Sequence, residues 1–149
     1  MAAVLTYSPS DVVLDVSGYT MTGVVRLSIE WNAETFKTIR GIRGKNTRVQ
    51  SLDTGATLTV ELLQTSLSND VLSDLFTLDK SYQSSRLQVY LKDKSGRTEI
   101  SSSEAFVSNL PSVSFSNELE TRVWKILLLQ TSSSAVKGNS TDLPDIFNS

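Results

Sequence analysis

Five basic residues fall between positions 37 and 48 with no acid among them: Lys37, Arg40, Arg43, Lys45 and Arg48, punctuated by Gly41 and Gly44. Cations around a glycine turn are what a phosphate-binding loop needs, because side-chain charge and backbone N–H groups can converge on one anion. The fragment GIRGKNT, residues 41–47, copies half of a Walker A loop, but Ile39 stands where the first glycine belongs, so nucleotide binding is rejected. The reading kept is a solvated loop whose charges meet acids on a neighbouring surface, the usual fate of a charge run.

Other chemistry has less to build on. The chain contains no histidine and no cysteine, which removes the commonest general base, the commonest metal ligand, thiolate sites and disulfides. Zincins, Ser-His-Asp hydrolases and Cys-His proteases are excluded in their usual forms. The carboxylate pairs Asp11/Asp15 and Asp142/Asp145 have no spacing that marks a glycosidase or a metal site, and they are expected to be surface charge. The Ser-rich stretches lack a base to activate a nucleophile. The sequon at Asn139 follows no secretion signal. The expectation is a protein without catalytic residues, cofactor or metal.

The elements that must carry these residues follow from the pattern. The chain has 149 residues, 39% hydrophobic, a net charge of −2 and a sequence pI near 5.1, enough for one domain and no general attraction to nucleic acid. No apolar run approaches the ~18 residues of a membrane helix, and a soluble chain made in a reducing compartment is expected. Period-two alternation predicts strands over 24–32, 57–64 and 86–92, with shorter strand candidates at 11–17 and 113–116. Residues 92–97 predict a hairpin turn, Thr98–Ser103 a returning strand, and residues 104–110 an edge or strand end before Pro111. The apolar run 121–130 predicts a central strand with Trp124 buried.

One helix is expected, at about 68–79, with Ser68 as N-cap, Asp70 favoured by the helix dipole and Leu67 stapled onto Leu72. Val71, Leu72, Leu75, Phe76 and Leu78 form its apolar stripe. The pentapeptide LLQTS occurs at 62–66 and again at 128–132, most simply by chance. A main domain is expected over 1–130. Residues 131–149 form a Ser-rich tail, loose in the monomer and expected to make an assembly contact through Ile146 and Phe147. The fold class is therefore mainly β: an antiparallel sandwich or barrel with one short helix.

The segment from Asp53 to Asp79 also carries a resemblance. A turn with Asp53 and Gly55 leads into Leu58, Val60 and Leu62, then Gln64, Thr65 and Ser66. Ser68, Asn69 and Asp70 follow, with Leu72, Leu75 and Asp79 in the helix. This order, preceded by an alternating strand, the step from Phe36 to Gly41 and Arg48 before the turn, resembles the tail tube proteins of contractile-tailed bacteriophages, the inner tube of the myovirus type. The resemblance is concentrated in residues 23–79. The chain departs from it in its basic Arg43-Gly44, where related sequences often have an acidic Asp-Gly turn, and in a longer C-terminal tail.

The resemblance implies a structural virion protein. Six copies would form a ring, rings would stack into a hollow tube inside a sheath, and strands of six subunits would merge into one barrel lining the channel for DNA. It implies contacts with further copies, sheath, baseplate and tail terminator proteins, assembly in the host bacterial cytoplasm, and no membrane insertion. DNA would pass without specific binding. A basic lumen would hold the polyanion, so the wall should be neutral or acidic. Ser28, Glu30, Thr59, Glu61, Glu99 and Ser101 are the expected lumen-lining residues. Lys37, Arg40, Arg43, Lys45 and Arg48 are expected at subunit or ring contacts, as are Leu72, Leu75, Phe76, Ile146 and Phe147. The alternatives are the tube of a tailocin or related contractile injection system, and a small β-sandwich that binds glycans.

Overall fold

The computed structural model describes residues 9–83 and 87–138. A 3₁₀ turn at Pro9–Asp11 leads into β1 (Val12–Val16) and the two-residue β2 (Tyr19–Thr20). Then come β3 (Val24–Trp31), β4 (Phe36–Arg40), β5 (Asn46–Gln50) and β6 (Ala56–Leu63). The helix α1 spans Ser68–Tyr82, and β7 (Leu87–Asp93), β8 (Glu99–Asn109), β9 (Thr121–Gln130) and β10 (Ser133–Ala135) follow.

One antiparallel sheet holds eight of these strands in the order β2-β1-β7-β8-β9-β6-β3, with β10 beside β8. The apolar run 121–130 is central, as its composition requires: β9 lies between β8 and β6 and Trp124 is buried. Alternation sends one face of every long strand inward. Leu58, Val60 and Leu62 of β6, Val89 and Leu91 of β7, and Ile126 and Leu128 of β9 form one core, which α1 covers with Leu72, Leu75 and Phe76. The sheet curls without closing. Val12 and Leu14 of β1 face Val24, Val25 and Leu27 of β3 across a cleft. Among the described residues the strand order ends at β2, two residues long and paired with only Asp15 and Val16 of β1, and at β3, eight residues long, and β10 has a partner only in β8.

Three expectations about the helix are corrected. Ser68 is not the N-cap: it is already helical and buried, and its Oγ accepts the Thr22 N–H at 2.8 Å. The chain turns two residues earlier, where the Ser66 Oγ accepts the Ser68 N–H at 3.1 Å. Leu67 occupies the cap position and is 70% exposed, so it does not staple onto the fully buried Leu72. The helix also runs three residues past Asp79, to Tyr82.

Residues 99–109 form one eleven-residue strand rather than two pieces. Ser102 explains this: it is buried at the polar centre of that run, and its Oγ donates to the carbonyl of Gln130 at 2.5 Å. Residues 113–116 are no strand, having no partner strand to pair with. The chain after Gln130 stays on the sheet. Ser132 donates its N–H to the Ser101 carbonyl at 2.8 Å, β10 pairs with Glu99–Ser101, and the Thr98 hydroxyl donates to the Lys137 carbonyl at 2.7 Å. The two copies of LLQTS end differently: Ser66 turns into the helix, whereas Ser132 continues along β8. Ile146, Phe147, Asn139 and the Asp142/Asp145 pair lie outside the described residues.

Candidate assembly surfaces

The six expected wall residues lie on one face of the sheet. Leu27 and Ile29 pack on the core, so Arg26, Ser28 and Glu30 point the other way, opposite Glu61, Thr59 and Thr57 in register. Across the sheet, Glu99 pairs with Lys92 and Ser101 with Tyr90, and both pairs share that outer face. The face is mixed rather than purely polar and acidic. Arg26, Lys92 and Lys125 stand among Asp15, Glu30, Glu61 and Glu99, and β9 adds Val123 and Leu129, both about half exposed. Glu61 is held by the Thr121 hydroxyl at 2.7 Å, and Asp15 by the Thr20 hydroxyl at 2.6 Å.

The basic segment is a hairpin where a loop was expected. Among the described residues, strands β4 and β5 pair only with each other, from Phe36 opposite Gln50 to Arg40 opposite Asn46. The turn is closed by the Gly41 N–H on the Lys45 carbonyl at 2.8 Å, and Gly44 takes a φ of +87° that favours glycine. All ten strand residues are exposed. Without a buried face there is no amphipathic period, which is why alternation did not reveal it. Its partial signal was the pair of glycines.

Side chains fold onto the hairpin itself. The Arg48 guanidinium lies 4.4 Å from the Phe36 ring centroid, a cation–π contact, and the Arg40 Nε–H donates to the Asn46 Oδ1 at 3.2 Å. Ile39, Val49 and, at the tip, Ile42 are left to solvent. A two-stranded hairpin with no supporting layer is marginal in water.

The helix end is fixed by a polar latch that sequence reasoning missed. Asn69 is 3% exposed and fully used: its Nδ2 donates to the carbonyls of Leu63 at 2.8 Å and Ser66 at 3.1 Å, and its Oδ1 accepts the Trp124 indole N–H at 2.9 Å. Ser66 donates its hydroxyl to the Thr22 carbonyl at 2.6 Å. The signal available was an Asn beside a predicted cap together with a Trp in a central strand, since a buried indole N–H needs an acceptor. The expected contact residue Leu72 is withdrawn into this core, and Leu75 and Phe76 pack against it. They serve this chain's own fold and leave Leu67, Leu78 and Tyr82 as the exposed apolar groups of the helix.

Among the described residues no three acids converge as a metal site. A polar hollow between β1, β7 and β8, lined by Asp15, Gln88 and Ser101 to Ser103, contains one aromatic ring, Tyr90. A glycan platform calls for several. No helix is long and apolar enough to cross a membrane among the described residues.

No protein-family model matches the chain. Structural protein ORF10 of Pseudomonas phage KPP10 is 35% identical over 137 residues, covering 85% of this chain and 79% of that protein. Among solved structures, the tube terminating cap of the anti-feeding prophage superposes with a TM-score of 0.61 at 14% identity, covering 91% of this chain and 95% of that one. The sheath/tube terminator of the extracellular contractile injection system PVC gives 0.57 at 16% identity, covering 87% and 97%. A chain of the sheath–tube complex of PVC gives 0.52 at 14% identity, covering 87% and 93%.

Proposed function

The chain belongs to the family of the phage structural protein ORF10, and from that membership we propose that it is a subunit of the tube of a contractile tail, built into rings that stack around the path of the genome. Its fold is that of the tube and terminator components of contractile injection systems. What carries the reading is that this likeness runs nearly end to end in both chains, 91% and 95% for the tube terminating cap. A role in the virion tail without covalent chemistry accords with a chain that has neither histidine nor cysteine.

In this reading six copies make a ring and the outer sheet face lines the channel. Four carboxylates and three cations are interspersed there with Ser28, Thr59 and Ser101. A near-balanced wall does not accumulate phosphate contacts, so DNA slides instead of binding. The hairpin, with five cations and no acid, lies away from the lumen at a contact between subunits or rings. Sheath, baseplate and terminator proteins are the other partners, and assembly occurs in the host cytoplasm. A tailocin would use the same subunit; a sheath gene without capsid genes beside this one would mark that setting.

Negative-stain microscopy of the purified protein tests the reading. Rings or tubes with an axial channel are expected. A protein that stays monomeric at high concentration, and that antibodies fail to find on tails, sinks it.

A second reading is favoured by one observation: the superposition on the two terminators, 0.61 and 0.57, exceeds that on the sheath–tube complex, 0.52. The chain would then end a tube instead of forming its length. Immunogold labelling separates the two, with label along the whole shaft for a tube subunit and at one end for a terminator.

A further inference from the structure

Two features sit at opposite ends of the same pair of strands. Trp31 of β3 is paired with Ala56 of β6, and the hairpin is inserted between them, so it leaves the sheet at that end. The eight residues of β6 then run roughly 25 Å to the other end, at about 3.3 Å per residue. There Leu63 pairs with Thr121, and Gln64 is bonded to Glu120 both ways, its N–H on the Glu120 carbonyl at 3.1 Å and its Oε1 on the Glu120 N–H at 3.1 Å. The start of α1 and the segment joining β8 to β9 therefore meet at this far end.

The two ends are complementary. The far end presents Asp70, Glu118 and Glu120 beside three apolar side chains left in solvent, Leu67 at 70%, Phe115 at 75% and Leu119 at 55% exposure. Its cations are Arg26 and Arg122, and Arg122 lies 5.9 Å from the Phe115 ring centroid. The hairpin presents five cations, no acid, and Ile42 fully exposed at its tip between charges. All ten strand residues of the hairpin are exposed, and among the described residues its two strands pair with no other strand. A polyanion such as DNA would pair the cations but offers no seat for Ile42. A surface that is both acidic and apolar offers both, and this chain carries one.

We infer that the hairpin tip of one copy docks on the acidic and apolar patch at the far end of a second copy, in a head-to-tail contact that repeats along the stack. The inference rests on the stacked-ring reading and names the receiving surface. Donor and acceptor are different patches, so the contact is heterologous and extends instead of closing in a pair. The charges set register and approach, and the apolar tip supplies the seat.

The absence of native cysteine makes the test direct. Ile42→Cys and Leu119→Cys are made as separate variants at exposed positions, mixed under assembly conditions and oxidised. Disulfide-linked dimers joining the two variants are expected, with yield falling as salt is raised, and no such link is expected when Ile42→Cys is mixed with Ser101→Cys. Links only between two Ile42→Cys chains, retention of the hairpin on duplex DNA in place of the link, or no link at all would overturn the inference. The two levels separate cleanly. Rings seen by microscopy without the 42–119 link leave the tube reading standing and remove this contact. Charge reversal supplies a second measure: Arg43→Glu with Lys45→Glu shortens stacks to isolated rings, and Asp70→Lys with Glu118→Lys on a mixed partner restores stacking.

Discussion

The indole N–H of Trp124 donates to the Oδ1 of Asn69 at 2.9 Å, across 55 residues of chain and out of reach of solvent. The same Asn69 holds the carbonyls of Leu63 and Ser66. One side chain thus ties the central strand, the end of β6 and the start of α1 together.

Asn69→Ala removes three hydrogen bonds and leaves a buried indole N–H without a partner, which should cost about 3 kcal/mol. Trp124→Phe keeps an aromatic ring but loses part of the indole's volume and strands one amide oxygen, and a loss of about 2 kcal/mol or more is expected. Urea denaturation followed by circular dichroism measures both. An Asn69→Ala midpoint equal to the parent's would show that the latch carries no stability.

Gly23 and Gly18 have φ values of +69° and +87°, so both favour glycine, but their surroundings differ. A Cβ at Gly23 would sit 2.7 Å from the Cβ of Ser66, while one at Gly18 meets nothing within 4 Å. Gly18→Ala should cost about 1 kcal/mol, the conformational part alone. Gly23→Ala adds a clash inside the latch and should lower the melting temperature clearly further. Equal losses for the two would contradict the packing described around Ser66.

Leu72 and Leu67 are five residues apart in sequence and opposite in burial, 0% and 70% exposed. Leu72→Ala should cost about 3 kcal/mol through lost burial and the cavity left behind. Leu67→Ala should stay within about 0.5 kcal/mol, as surface substitutions do. Thermal scans of the monomer settle the order.

Truncation after Gln130 removes β10 and the bonds between Thr98 and Lys137. It strips a layer of pairing from Glu99–Ser101 of β8 and exposes that edge. A loss of about 5 kcal/mol or more, at roughly 1 kcal/mol per net hydrogen bond, is expected together with aggregation on light scattering. A truncated chain as stable and dispersed as the parent would mean that β10 is dispensable.

Replacing Phe36–Gln50 by a short flexible linker should leave the circular dichroism and melting temperature of the main sheet nearly unchanged, because the hairpin pairs with no other strand. Stacked assemblies should be lost. Full-length stacks from this variant under the microscope would remove the hairpin from assembly.

What could be read in the sequence were the elements with one wet face and one dry face. Strands β3, β6 and β7 announced themselves by alternation, and Trp124 by the apolar run around it, because burial on one side imposes period two. The hairpin has no dry face, so nothing forced a period on it. Ser68 looked like a cap because its type suits one, yet tertiary bonding to Thr22 took its hydroxyl and Ser66 served the helix instead. Ser102 made β8 look broken, since a buried serine satisfied by a distant carbonyl cannot be told from an exposed one by type. The six residues expected to form a wall share one face because cross-strand register preserves alternation. Arg26 shares that face by the same alternation as Ser28 and Glu30, whereas Lys92 and Lys125 join it through registers not inferred beforehand.

The unequal edges of the sheet have a mechanical consequence. Within the chain, β6 and β9 share eight paired residues, a stiff weld. Among the described residues, the β3 edge is eight residues long, whereas the opposite end is stepped, with β2 covering only Asp15 and Val16 of the five-residue β1. Backbone pairing between two such edges is limited by the shorter one. A wall in which copies meet edge to edge would alternate rigid panels with compliant seams, and twist or flexure would be absorbed at the seams while each panel keeps its shape.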